Sequence, residues 1–187
     1  MATLFPADYR SVHRAILTMG RRQFTCDGVL TVSARAKYHL ALISPLGLVT
    51  DLEADTDGAV NVRKVTAIFR EDWSRNHVAR DLRCIFMPPG KLETNGRLAD
   101  GRLVLRGALD RDGLTPQYLF SPDGAQLQEM EWLRAGRCVY HVNIRRHRTV
   151  TGHPNPIPSE LEVDAGQYHL NLRIAELTVS PDGKVKP

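Results

Sequence analysis

The sequence contains no run of about 18 apolar residues, the length that a transmembrane helix requires, so no such helix is expected. The N-terminal stretch MATLFPADYRSVHRAILTMGRRQ also lacks the basic segment, the apolar segment and the small-residue cleavage site of a secretory signal. We therefore expect either a cytoplasmic protein or a chain from which a signal has been removed.

Cysteine is scarce, with three residues in 187. Cys26, Cys84 and Cys138 are widely spaced and odd in number, so we expect no disulfide framework, although a single bridge stays open. Their spacing also matches no zinc site. We interpret them as buried or half-buried thiols.

The motifs of common enzymes are absent: the sequence has no G-x-S-x-G elbow, no H-E-x-x-H pair, no Walker loop and no G-x-G-x-x-G after a strand. His141, His147 and His153 are almost evenly spaced, but a turn is expected before His153 and no acidic or cysteine ligand accompanies them. We therefore expect no catalytic residues, no cofactor and no metal.

Two carboxylate pairs occur, Asp51 with Glu53 and Glu129 with Glu131. Residues two apart on a strand share one face, and both pairs alternate with leucine or other apolar residues. The pairs are therefore interpreted as the solvent-facing side of an antiparallel sheet, not as general acids or bases.

The charge pattern does not favour nucleic acid. The net charge is +4, and basic residues are distributed along the chain among acidic ones. The densest basic cluster, RRHR at residues 145–148, lacks the interleaved aromatic residues of a single-strand binding surface. No nucleic-acid partner is expected.

The first predicted element is an amphipathic helix over residues 7–22, because Tyr9, Val12, Ile16 and Met19 come at helical spacing. After it the apolar period changes to two, which is typical of strands with one buried face. The predicted inner face of these strands consists of Leu30, Val32, Ala34, Tyr38, Leu40, Leu42, Leu48, Thr50, Leu52 and Ala54.

A second helix is predicted over residues 69–86, where Trp73 and Leu82 fall near helical spacing, and Pro88 and Pro89 would end it. Beyond it, short apolar runs alternate with the turn signals RDG, SPDG, RAG and DAG, a pattern typical of consecutive antiparallel hairpins. In the last run the alternation slips at Ala175, which predicts a bulge or a strong bend.

These elements predict one domain over residues 1–187, mainly β with two helices (α+β). A sheet of about 9–11 antiparallel strands is large enough that it must curl or close. One economical arrangement is a strongly curved sheet, an incomplete β-barrel, that is covered by the helices and leaves an apolar concavity. A packed β-sandwich or barrel with helices at one end fits the pattern equally well.

The turn SPLG at residues 44–47 is unusual because Leu46 and Leu48 lie at a hairpin tip. Leaving a leucine exposed forgoes up to ~2 kcal/mol of burial. Two explanations are open: a helix or loop of the same fold covers the tip, or the tip contacts a lipid, a membrane or a protein partner.

The order of these segments resembles a known family. It is similar to that of the bacterial outer-membrane lipoprotein-sorting proteins of the LolA/LolB type and their uncharacterised lipoprotein relatives. The segments that carry the similarity are, in order, a helix, FTCDGVLTV, YHLALISPLGLVTDLEADTDG, a helix ending in RDLRCIFMPP, YLFSPDG and IPSELEVDAGQYHLNLRIAEL. The resemblance implies an incomplete antiparallel barrel, lined by apolar side chains and lidded by helices, that binds the acyl chains of lipoproteins in transit to the outer membrane.

The resemblance also implies site residues. The membrane-anchored member has a protruding apolar loop implicated in lipid delivery, and Leu46 and Leu48 would correspond to that membrane or partner loop. The implied lining of the ligand cavity consists of Leu30, Val32, Tyr38, Leu40, Leu42, Leu52, Trp73, Leu82, Trp132, Tyr140, Val142, Leu170 and Leu172.

Family members carry a signal sequence, and the anchored ones carry a lipidated cysteine at the mature N-terminus, whereas the first cysteine here is Cys26. We therefore expect a location in the bacterial envelope, in the periplasm or on the inner leaflet of the outer membrane, if an N-terminal signal was removed, and the cytoplasm otherwise.

Three functions follow. The preferred one is non-enzymatic binding of an acyl chain, a lipoprotein or another apolar ligand, in lipoprotein transport or sorting. The second is a protein-interaction module of an envelope or secretion assembly, with a packed core. The third is a small enzyme for an apolar substrate, for which Tyr140, His141 and Glu129 are the candidates.

Overall fold

The computed structural model describes residues 5–34, 37–55, 59–66, 71–87, 92–110 and 112–179, without the side chains of residues 94 and 95. Within these residues the regular structure consists of twelve strands and one helix. The strands are β1 (Tyr9–Met19), β2 (Arg22–Ser33), β3 (Lys37–Ser44), β4 (Gly47–Asp55), β5 (Val60–Val65), β6 (Leu92–Arg97), β7 (Leu103–Gly107), β8 (Thr115–Phe120), β9 (Leu127–Arg134), β10 (Arg137–Arg148), β11 (Ile157–Asp164) and β12 (His169–Val179).

The helix, α1 (residues 71–86), is continuous over 16 residues. It begins with the α-helical turn Glu71–Trp73, continues as a π-helical segment Ser74–Val78 and ends as the α-helix Ala79–Phe86. Met87 then adopts an extended backbone conformation. This confirms the second predicted helix, although its predicted start at Phe69 and the Pro88 and Pro89 stop lie outside the described residues.

All twelve strands belong to one antiparallel sheet, in the order β5-β4-β3-β2-β1-β12-β11-β10-β9-β8-β7-β6. Two meanders, β1–β5 and β6–β12, are separated in the chain by α1 and meet where β1 pairs with β12. Strands β5 and β6 are the two edges, so the sheet is not closed into a barrel. The mainly β, antiparallel fold class is confirmed, and the open single sheet replaces the packed sandwich that the pattern also allowed.

The predicted helix over residues 7–22 is wrong, because this segment forms β1. Its inner face is made by alternate residues, and Tyr9, Ser11, His13 and Leu17 are buried on it. Serine and histidine at two inward positions hide the period of two, while the apolar residues at helical spacing belong to both faces of the strand.

Two further expectations need correction. In the described part of the chain, one helix covers the sheet instead of two, and twelve strands are present instead of about 9–11. The strand β6, of sequence LETNGR, escapes a search for alternation because leucine is its single large apolar residue.

The bulge predicted at Ala175 is confirmed. Val12 pairs with Glu176 and His13 with Ile174, which leaves Ala175 unpaired. A second register shift, between Leu42 and Ile43, was not expected. It places Val49 in the core and leaves Leu48 half-buried, so the predicted inner position of Leu48 is wrong.

The three cysteines are free. Cys26 and Cys84 are buried, as expected, whereas Cys138 is exposed. A register shift between Cys138 and Tyr140 explains the difference, because it interrupts the alternation at the start of β10.

The core lies between α1 and one face of the sheet. A single apolar cluster includes Leu82 and Ile85 of α1, Leu52 near one sheet edge and Tyr118 near the other. Because both ends of the sheet contribute to the same cluster, the sheet curves around the helix. No helix in the described part of the chain has the length and apolar character needed to cross a membrane.

The different burial of two leucines in the β3–β4 hairpin predicts very different losses of stability when each one is replaced. Leu52 is fully buried, whereas Leu46 is 87% exposed. Leu52→Ala should lower the free energy of unfolding by about 2–5 kcal/mol because it opens a cavity in the core. Leu46→Ala should change it by less than about 0.5 kcal/mol. Urea denaturation of both variants measures the difference, and equal losses would contradict the described register.

Candidate functional site

An open cavity lies between α1 and the inner face of β1–β4 and β12. Its volume is about 70 Å³, so the space is narrow. The lining is largely apolar and consists of His13, Ala15, Leu17, Phe24, Cys26, Leu40, Leu42, Val49, Thr50, Trp73, Val78, Asp81, Leu82, Ile85, Phe86, Leu170 and Leu172.

The burial of the lining residues shows which end of the cavity is deep. Phe24, Leu42 and Trp73 are half-buried, whereas Ile85 and Phe86 are buried. Phe24 and Leu42 lie near the tips of the β1–β2 and β3–β4 hairpins. The mouth is therefore on the side of these two tips, and the floor is where the C-terminal half of α1 meets β1.

The structure brings together six of the residues implied as a ligand lining. These six line the cavity: Leu40, Leu42, Trp73, Leu82, Leu170 and Leu172. The other seven are inward-facing and buried, but they belong to the packed core outside the cavity: Leu30, Val32, Tyr38, Leu52, Trp132, Tyr140 and Val142.

Sequence reasoning missed the part of the wall made by β1 and β2. The predicted helix over residues 7–22 contains His13, Ala15 and Leu17, and the sequence predicts no site at Phe24 or Cys26. Ile16 separates Ala15 from Leu17, so no alternation of apolar and polar residues marks this wall in the sequence.

A hydrogen-bond network holds α1 against the other half of the sheet. The hydroxyl groups of Tyr140, on β10, and Tyr168, just before β12, both donate to Oδ1 of Asp81, at 2.8 Å and 2.5 Å. The guanidinium carbon of Arg80 lies 5.3 Å from the Tyr140 ring centroid and 5.9 Å from that of Tyr168. These contacts hold α1 against β10 and the segment before β12, and Leu82 and Ile85 of the same helix line the cavity together with Asp81.

Asp81 is buried, and burial raises the pKa of its carboxyl group to about 6, because removal from water disfavours the charged form. The two tyrosine hydrogen bonds and the charge of Arg80 act in the opposite direction and limit this rise. The carboxylate is therefore the form that dominates at neutral pH, but the protonated form is favoured relative to an exposed aspartate.

The three residues considered for catalysis are separated by the sheet. Tyr140 faces inward and its hydroxyl is used by Asp81, whereas His141 and Glu129 pair on the outer face, with Nε2 and Oε2 3.3 Å apart. His141, Glu129 and Glu131 offer ligand atoms within 4.8 Å of one another. However, Glu129 accepts from Arg102 and Glu131 accepts from Gln117, so this group is explained as part of the surface pairing between strands.

The hairpin tip carries an exposed apolar side chain on an ordered backbone. Ser44 Oγ accepts from the Leu46 N–H at 3.1 Å and donates to the Gly47 carbonyl at 3.3 Å. Gly47 has φ +112°, a value that favours glycine. The side chain of Leu46 is 87% exposed, so the tip projects an apolar side chain at the end of the sheet where the cavity opens. Ile43 is 45% exposed and lies on the outer face of the sheet, opposite Asp27.

The fold is similar to solved structures of bacterial proteins. A LolA superfamily protein of Nitrosomonas europaea matches with a TM-score of 0.64, covering 95% of this chain and 90% of that chain at 9% identity. An outer membrane lipoprotein-sorting protein domain of Vibrio parahaemolyticus matches with a TM-score of 0.56, covering 94% and 86% at 8% identity. A DUF1329 family protein of Desulfovibrio piger matches with a TM-score of 0.54, covering 94% and 87% at 10% identity.

No protein-family model and no curated protein sequence matches the chain. At the identities of the three structures, the similarity is one of fold. The resemblance to the LolA/LolB-like superfamily is thus confirmed for the architecture, an open antiparallel sheet around a helix.

The Asp81 network predicts a pH dependence of stability. Because the folded-state pKa is raised, the folded protein binds more protons than the unfolded chain between about pH 4 and pH 6, and the contribution of Asp81 to stability falls as pH rises through this window. Asp81→Asn keeps the acceptor and removes the titration. The unfolding free energy of Asp81→Asn minus that of the wild type should therefore increase by about 2–3 kcal/mol from pH 4 to pH 7.

Asp81→Ala serves as the contrasting variant, because it leaves the hydroxyl groups of Tyr140 and Tyr168 without an acceptor. It should cost about 2–4 kcal/mol relative to Asp81→Asn at every pH in this range. Denaturant titrations at several pH values measure both effects. Parallel stability curves for wild type and Asp81→Asn would show that the pKa is not raised.

Proposed function

We propose that this protein is a non-enzymatic carrier that binds an acyl chain, a lipoprotein through its acyl chains, or another apolar ligand in the cavity between α1 and β1–β4. The proposed setting is lipoprotein transport or sorting in the bacterial cell envelope. The observation that carries the proposal is the narrow apolar cavity, which has a half-exposed mouth and a buried floor.

The shape and chemistry of the cavity suit a slim aliphatic chain. Removing a methylene group from water contributes about 0.8 kcal/mol. Ten methylenes would contribute roughly 8 kcal/mol before the costs of ordering the ligand are subtracted. Because the cavity is narrow, a bulkier ligand requires α1 to move away from the sheet, and such movement would have to break the hydrogen bonds to Asp81.

The fold comparisons support the proposed setting. Two of the similar structures are described as a LolA superfamily protein and as an outer membrane lipoprotein-sorting protein domain. By analogy of fold, the proposed location is the periplasm or the inner leaflet of the outer membrane.

A binding role also agrees with the use of polar groups at the cavity wall. Asp81 accepts two tyrosine hydroxyls, and Thr50 Oγ1 lies 3.3 Å from both the Lys64 carbonyl and Ser74 Oγ. These contacts hold α1 and β4 in place, so these side chains have a structural use and not that of an acid, base or nucleophile.

Filling the cavity should abolish binding. Ala15 is half-buried on the cavity wall, and Ala41 is a half-buried strand alanine on the opposite face of the sheet. We expect Ala15→Trp to weaken saturable binding of dodecanoic acid at least tenfold because the indole occupies the ligand's space, whereas Ala41→Trp should bind as the wild type does. Isothermal titration calorimetry on delipidated protein measures both.

Absence of saturable binding to the delipidated wild type would refute the carrier function. Equal binding by the wild type and by Ala15→Trp would instead show that the ligand lies elsewhere. Thermal melting curves of both tryptophan variants establish that each one folds.

The exposed tip supports a second candidate function, contact with a membrane surface or an envelope protein. Leu46 projects from the tip at the end of the sheet where the cavity opens, so that a chain could pass directly between the cavity and a bilayer. An interaction module that works without a ligand would use the same tip.

Vesicles test the role of the tip. Leu46→Glu should leave folding intact, because the side chain is 87% exposed, and should reduce co-sedimentation of the protein with phospholipid vesicles several-fold. Leu109→Glu is the matched control, since Leu109 is also exposed, at 69%. Equal loss in both variants would indicate a general charge effect, and no loss in either would favour a protein partner.

A further inference from the structure

The arginines of the protein differ in whether the fold uses their charge. Most of those described are held by carboxylate or carbonyl oxygens, as Arg14 is by Asp27. Five exposed arginines have no hydrogen bond and no ion pair among the described residues: Arg10, Arg21, Arg22, Arg134 and Arg137. All of these except Arg10 lie in two hairpin tips at one end of the sheet.

The first tip, between β1 and β2, lies beside the mouth of the cavity. Arg21 is in the two-residue turn, and Arg22 is the first residue of β2. Because alternate residues of a strand share a face, Arg22 lies on the same face as Phe24, which lines the cavity near its mouth. Since β2 pairs with β3, the tip that carries Leu46 is the next one along the sheet, roughly 10 Å away at two strand spacings.

The second tip joins β9 to β10. Arg134 and Arg137 are directly opposite each other in the register of these strands. Like charges at opposite positions of two neighbouring strands are destabilising. No carboxylate of the described residues pairs with either arginine. The tip therefore lowers the stability of the protein in a way that a negatively charged partner would offset.

The carboxylates near these tips are used within the fold. Asp164, in the β11–β12 hairpin that lies between the two tips, accepts the Gly166 N–H at 2.8 Å. Glu71, at the start of α1, pairs with Arg75 at 2.8 Å. Neither forms an ion pair with an arginine of the two tips, so the four arginines keep their positive charge unpaired.

The tips at the opposite end of the sheet have a different charge. Asp55, Asp100 and Asp123 lie in or beside the β4–β5, β6–β7 and β8–β9 turns. Lys37 is also at that end, but it is opposite Asp55 in register. Unpaired arginine charge is thus concentrated at the end where the cavity opens, with Arg10 as the exception among the five.

We propose that this end of the sheet docks on a bilayer that contains anionic phospholipids, with Leu46 inserted among the acyl chains and the arginines of the two tips bound to lipid phosphates. The inference rests on the proposed function, because it identifies the surface at which the cavity exchanges its ligand. A guanidinium group binds a phosphate through two parallel hydrogen bonds. A bilayer presents phosphates and acyl chains close together, so it satisfies the arginines and Leu46 at once.

The two contributions to docking respond differently to salt. Each basic residue near an anionic membrane strengthens binding roughly fivefold. This attraction weakens with salt, because the Debye length falls from about 10 Å at 0.1 M to about 3 Å at 1 M. Insertion of the Leu46 side chain is driven by removal of apolar surface from water and is not screened in this way.

Co-sedimentation with vesicles tests the docking surface. The wild type should bind vesicles of equal parts phosphatidylcholine and phosphatidylglycerol at least about tenfold more tightly than vesicles of phosphatidylcholine alone. The double variant Arg21→Gln, Arg22→Gln should lose about tenfold or more of the binding to the anionic vesicles. The control is Arg145→Gln, Arg146→Gln, the same change in charge at two adjacent exposed arginines of β10 that pair with glutamates, and it should lose less than about threefold.

A further variant separates docking from a structural role. Arg134→Glu places a carboxylate opposite Arg137 and turns a like-charge pair into an opposite-charge pair. The melting temperature of the free protein should therefore rise, while binding to the anionic vesicles should fall several-fold. A variant that loses stability and leaves vesicle binding unchanged would show that Arg134 serves the fold and would contradict the inference.

Three other outcomes would overturn the docking surface: equal binding to the two kinds of vesicle, equal losses in the Arg21/Arg22 variant and its control, or binding that high salt does not weaken. Titration of the same proteins with dodecanoic acid tests the carrier function separately. Saturable binding of the acid without binding to anionic vesicles would reject the docking surface alone. Vesicle binding without binding of the acid would reject the carrier function alone.

Discussion

The fold depends on the burial of the apolar face of one very large sheet by the helix α1. Twelve strands present an inner face that water must not reach, and α1, which is about 24 Å long at the usual helical rise, is the element that covers it. The sheet curves around α1, so that Leu52 near one edge and Tyr118 near the other contribute to the same core. The cavity is the part of the concave face that the helix does not fill.

The helix is held asymmetrically, and this asymmetry decides where the cavity lies. Toward β10 and β12, Asp81 and Arg80 bind Tyr140 and Tyr168 through hydrogen bonds and ring contacts. Toward β1–β4, apolar side chains of α1 such as Leu82 and Ile85 face the wall of the cavity. The hydrogen bonds toward β10 and β12 are directional, whereas the apolar contacts toward β1–β4 are weaker and are ones that a ligand can replace.

The alternation of apolar and polar residues was sufficient to predict most strands and the mainly β class. It located β2–β4, β10 and β12, and it even marked the bulge at Ala175. It failed at β1, where Ser11 and His13 occupy inward positions, and at Leu48, where a register shift exchanges the inward residue for Val49. A two-residue alternation identifies the inward-facing side chains only where the strand register is unbroken and the inner face is apolar.

The cavity was harder to predict than the fold. Inward-facing residues such as Leu30 and Leu40 have the same pattern, yet Leu30 is in packed core and Leu40 borders open space. The difference depends on where α1 sits across the sheet, which is a tertiary property. The floor residue His13 was missed for the opposite reason, since a polar residue is not expected on an apolar wall.

The pairing of β1 with β12 has a consequence for the folding of the chain. Every other neighbour in the sheet, within the described residues, joins strands that follow one another in sequence, whereas this pair joins the two ends of the described chain, Tyr9 opposite Val179. Hairpins within each meander can form by short loop closure, but the central pair must wait for a closure across nearly the whole chain. Both meanders contribute to the core around α1, and β12 forms part of the cavity wall, so the cavity is complete only when this long-range pairing has formed.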